Sequence, residues 1–72
     1  MNAIDSFPTM LSIKQLRERA TELEEEADVM EVRRILGLAS DADVTEAKRA
    51  AAQARRAVEQ ALHTYASAER HP

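Results

Sequence analysis

Apolar residues recur along most of this chain at alternating steps of three and four. Between Ser12 and Leu36 they are Ile13, Leu16, Ala20, Leu23, Ala27 and Met30. That rhythm places one apolar seam along a helix, as in a coiled coil. A second series, Ala47, Ala51, Ala54, Val58, Ala61, Tyr65 and Ala68, follows the same rule. The pattern predicts two long helices, 12–36 and 44–68, joined by a connector at 37–43. It also predicts an irregular lead at 1–11 and a short tail at 69–72. Two long helices with so short a joint fold back on each other, so the expected fold is all-α: an antiparallel helical hairpin.

Local signals mark the ends. Ser12 with Gln15 has capping-box spacing. Gly37 suits the left-handed residue that stops a helix, and Arg33 and Arg34 sit at its negative end. Asp43 with Glu46 reads as the second start. The segments "ADVMEVRR" (27–34) and "ADVTEAKR" (42–49) are alike, so Asp28 with Glu31 could also open a helix. A kink or third short helix near Ala27 is therefore the alternative to one continuous first helix. No glycine or proline supports a break there.

The second seam is almost all alanine, which suits close approach of two backbones, with the larger residues of the first helix filling the steps. With the turn centred between Ser40 and Asp41, facing residues have numbers totalling 81. Met30 then meets Ala51, Ala27 meets Ala54, and Leu23 meets Val58. Glu31 falls near Lys48, and Glu24 near Arg55. These exposed pairs select register more than they stabilise.

Size sharpens the picture. A 72-residue chain with no cysteine has a small core and no disulfide or thiolate metal site to support it. Completion as a four-helix bundle, by dimerisation or with a partner chain, is the expected remedy. Val29, Val32, Ile35 and Leu36, with Leu38 beyond, form a second apolar stripe pointing away from the seam. Left in water, each large side chain forgoes roughly 1.5–3 kcal/mol of burial. This stripe is the expected partner interface, with Phe7 of the lead as a further anchor beside Ile4, Met10 and Leu11.

Charge adds less. The net charge is −3, too mild to argue for or against nucleic acid. "ELEEEADVME" is a dense acidic patch of the kind that solvates a surface. Arg49, Arg56, His63 and Arg70 stand seven apart on one face, with Lys48 and Arg55 beside them. Lys48, Arg49, Arg55, Arg56 and Arg70 are the candidate contacts for nucleic acid, the alternative reading. No aromatics or glycines interleave this line.

Candidate chemistry is sparse. His63 and His71 are the only histidines, and no compact ligand set surrounds either. No nucleophile, base and orienting group can be assembled, and no glycine-rich phosphate loop occurs. No catalytic, metal or cofactor site is expected, and the protein is read as a non-enzyme. No apolar run approaches the roughly 18 residues of a membrane span, and no signal-peptide pattern opens the chain. The expectation is a soluble cytoplasmic protein.

Some partial likenesses follow. "ILGLASDADVTEAKRA" (35–50) resembles the start of a J-domain, but the His-Pro-Asp loop that stimulates the chaperone ATPase is absent, so that activity is not implied. "MEVRRILGLASDADVTEAKRA" is similar to a helix-turn-helix, with a longer connector and alanines where base-reading side chains would stand. The plan as a whole is similar to small helical-hairpin co-chaperones of type III secretion needle subunits, and to small dimeric hairpin regulators that bind RNA. Those likenesses imply architecture and no site residues. The expected role is protein–protein interaction through helix packing: an adaptor, assembly chaperone or regulatory subunit.

Overall fold

A computed structural model describes residues 10–70, with the backbone alone for 68–70. Two helices account for nearly all of it, α1 (Met10–Ile35) and α2 (Asp41–Arg70), packed as an antiparallel hairpin. The all-α hairpin expected from the two seams is the observed fold. α1 runs unbroken through Ala27 and Asp28, so the three-helix alternative does not occur. Asp28 and Glu31 lie within a run of strong helix formers, and nothing upstream ends the first helix to let a second begin.

The joint is tighter than 37–43. Leu38 N–H donates to Arg33 O (2.7 Å) and Gly37 N–H donates to Arg34 O (3.0 Å). Gly37 takes φ +78°. This pair of bonds around a left-handed glycine is the Schellman motif, and it satisfies carbonyls the helix end leaves open. Three residues later Ser40 caps α2. Asp43 N–H donates to Ser40 Oγ (3.1 Å), and Ser40 N–H donates to Asp43 Oδ2 (2.9 Å). Asp43 is thus the closing member of a capping box opened by Ser40, not the residue that opens the helix. The sequence pointed to the right carboxylate but assigned it one role too late, so α2 starts three residues earlier than 44. The other boundary moves in the same sense: α1 is already helical at Met10, which places Ser12 within its first turn. Lead residues 1–9, with Ile4 and Phe7, lie outside the described residues.

The interior is a narrow strip. Ile13, Ala20 and Ala27 of α1 and Val44, Ala51 and Val58 of α2 are buried, each series in steps of seven. Leu16, Leu23 and Met30, the larger seam residues of α1, are only half-buried, as are Ala47, Ala54, Ala61 and Tyr65. Alanines make up half of this buried strip, and longer half-buried side chains close its borders. That is the packing expected of an alanine face: short side chains bring the axes together, and a neighbour one turn away covers the gap. Val44 belongs to the buried series although the seam expected from the sequence began at Ala47. Its position just after the cap masked its membership.

Among the described residues three ion pairs bridge the helices, two of them along the flank of the seam. Lys48 Nζ lies 3.2 Å from Glu31 Oε2. Arg55 reaches Glu24 through both arms of its guanidinium, with Nε donating to Oε2 at 3.3 Å and Nη2 donating to Oε1. These are the two flanking pairs expected from the register. In each the residue numbers total 79, within two residues of the 81 expected for the seam. Arg34 extends the first pair into a network around the turn, 4.0 Å from Glu31 and 3.5 Å from Asp41.

Candidate protein-contact edge

The register of the hairpin decides which surfaces are left over. A helix turns about 100° per residue, so positions half a turn from a buried seam face solvent. On α1 the arc opposite Ala20 and Ala27 carries Glu18, Glu22 and Glu25, then Val29, Val32 and Leu36. The first half of this outer edge is acidic and the second half is apolar. Ile35 flanks the apolar half, and Leu38 follows it in the turn.

All five members of the predicted stripe are out in water. Val29, Val32, Ile35, Leu36 and Leu38 are 55–71 % exposed. They adjoin one another at the turn end of the hairpin, so they form one patch and not scattered surface residues. Phe7, the sixth residue assigned to this contact, lies outside the described residues. The sequence pattern omitted one further exposed apolar residue, Leu62, at 43 %. It falls off both the seam and the stripe, and only its exposure in the fold identifies it. Met10 and Leu11, assigned to the lead, are exposed residues of the first turn of α1. An open depression begins beside them and runs on past Arg17 to Glu22. Its described walls come from one helix, so they do not enclose a ligand.

The basic residues divide. Lys48 and Arg55 are engaged with Glu31 and Glu24 across the hairpin. The Glu24 carboxylate, by hydrogen bond and by charge, with Glu59 adding to the field, holds the Arg55 guanidinium above its ordinary pKa. Arg49 and Arg56 are exposed on the outer edge of α2 with His63. The backbone of Arg70 is helical, and its side chain lies outside the described residues. Two of the five candidate nucleic-acid contacts are thus already committed inside the hairpin.

Among the described residues no polar or charged side chain is buried, so none is held in the dry surroundings that acid–base chemistry near neutral pH calls for. The Ser40 backbone N–H, then its hydroxyl, hold Asp43 below the usual carboxylate range, which is a capping effect. No group of three or more metal-ligating side chains gathers among the described residues, and none of their helices is long and apolar enough to cross a membrane. Comparison with protein-family models finds no match, and comparisons with curated proteins and with solved structures find none either.

Proposed function

We propose that this protein is a non-enzymatic interaction module, a small adaptor, assembly chaperone or regulatory subunit that binds another chain through helix–helix packing. The observation that carries this reading is the cluster of five large apolar side chains left exposed at the turn end. A stripe at helical spacing is the complement of another helix's apolar face. Its centre is Val32, with Val29 and Leu36 one turn to either side.

Substitution of that centre is the test. Val32→Asp puts a charge in the middle of the patch and touches neither the seam nor the caps. Helix content should stay as in the parent chain, while association with itself or a partner is lost. Light scattering and co-purification, each read at low and moderate salt, measure this. If Val32→Asp leaves both the mass and the captured partner unchanged, the patch is not the contact surface. Capture of a nucleic acid that survives Val32→Asp and vanishes steeply with salt and with Arg49→Glu/Arg56→Glu would assign the function to α2.

A further inference from the structure

We infer that the chain covering this edge is a second copy of the same protein, set beside the first in the same orientation, so that the outer edge of α1 packs on the outer edge of the neighbouring α2. The inference rests on the proposed contact surface and names its occupant. It starts from a difference between the two outer edges. That of α1 is acidic along Glu18, Glu22 and Glu25 and apolar from Val29 to Leu36. That of α2 is basic at Arg49 and Arg56, with His63 in the same row; Ala52 lies between the arginines, the small exposed residues Ala42 and Thr45 lie ahead of them, and Glu59 is the one acid beside the row. Neither edge complements itself. Two α1 edges laid antiparallel would set the acidic half of one against the apolar half of the other. The α1 and α2 edges do complement each other.

The observed register shows that they also match in height. The total of 79 that relates α1 to α2 within one hairpin applies equally to α2 of a copy shifted sideways. Glu22 and Glu25 then stand at the levels of 57 and 54, on either side of Arg56 of the neighbour. Glu18 stands at the level of 61, about 3 Å along the axis from His63. Val29 and Val32 stand at 50 and 47, bracketing Arg49, whose aliphatic stem can lie on them while its guanidinium reaches water. Leu36 arrives beside Ala42 and Thr45, where small side chains leave room for it. Arg49 and Arg56 make no ion pair within the hairpin among the described residues, and neither do Glu18 and Glu25. Glu22 has only an exposed contact to Arg19, at 3.7 Å.

Such an interface is heterologous: each copy offers a different edge to each neighbour. It therefore gives a ring or an open row, and not a closed pair.

Charge reversal tests this on the full chain. Molar mass is measured by sedimentation equilibrium from about 10 μM to about 1 mM, where mass action separates association from its absence. The parent chain should exceed the mass of a dimer and grow with concentration, and salt should oppose this. Glu22→Lys/Glu25→Lys should be monomeric, and so should Arg49→Glu/Arg56→Glu. The chain with all four changes restores opposite charges where Glu22 and Glu25 meet Arg56 and should associate again. That rescue also shows that the loss was not misfolding. A parent chain that stays monomeric, one that stops at a dimer, or a fourfold variant that stays monomeric would each overturn the arrangement. If Val32→Asp still abolishes capture of a different chain in those cases, only the identity of the occupant is lost. If Val32→Asp leaves every association intact, the contact surface falls, and this arrangement falls with it.

Discussion

Ala20 is the most deeply buried residue of α1, with no exposed surface, in the strip where α1 packs on α2. Ala20→Leu adds three carbons at a point with no room for them. Helix propensity is nearly the same for the two residues, so α1 itself is not weakened. If the interior were a loose strip, the larger side chain would gain burial and the variant would be more stable. If alanine sets the helix separation, the leucine must push α2 away and uncover Val58 and Ala51. Overpacking of this kind costs about 1–3 kcal/mol. In a domain of this size that corresponds to a fall of roughly 4–8 °C in thermal midpoint for each kcal/mol. Circular dichroism melts at low concentration, beside Ala66→Leu as an exposed control on α2, measure it. The control should move by no more than about 0.5 kcal/mol. An Ala20→Leu midpoint equal to or above that of the parent chain would refute close packing at the seam.

Gly37→Ala should lower stability by about 1–2 kcal/mol, the cost of a left-handed alanine. An added Cβ meets nothing within 4 Å there, so the loss in denaturant midpoint reports backbone strain alone. Ser40→Ala should cost about 0.5–2 kcal/mol by removing the cap of α2, read in the same titration. Asp43 titrates below its unfolded value of about 3.9, because Ser40 favours its charged form. Its contribution is therefore fully present above that value and is lost as pH falls through the lowered folded pKa. Asp43→Asn should flatten the acid limb of a stability-against-pH curve below about pH 4; an unchanged limb would exclude the capping box as its source. Glu24→Gln with Arg55→Ala in a double-mutant cycle should give a favourable coupling that shrinks with salt.

Much of this molecule was legible in its residue pattern, and the reasons differ by element. The hairpin follows from two seams of one period joined by a short glycine-bearing stretch, because a period of about 3.5 fixes which face must be buried. The ion pairs Glu31–Lys48 and Glu24–Arg55 follow from the register without further information. The exposed stripe was legible for a related reason: residues half a turn from a seam cannot also be in it. The capping of α2 was harder. Ser40, Asp41 and Asp43 are all good cap residues, and only the pair of bonds between Ser40 and Asp43 selects the first. The rank of burial within the seam was harder still. Leu16 and Leu23 are far more hydrophobic than Ala20 and Ala27, yet the alanines are the buried ones. Closest approach is decided by side-chain size on both helices together, which neither helix shows alone.

Everything proposed for the outer edges depends on the chain folding back in the observed register, and a distance across the hairpin tests that most directly. The chain has no native cysteine, so Glu24→Cys/Arg55→Cys can be spin-labelled at two defined points, diluted into unlabelled protein, and measured by pulsed electron resonance. The two positions are 31 residues apart in sequence. In the hairpin they face each other, which predicts a label separation under about 20 Å, given helix axes about 8–10 Å apart. In one continuous helix they would be about 46 Å apart at 1.5 Å per residue, and a distribution centred there would contradict the fold and the contact edges built on it.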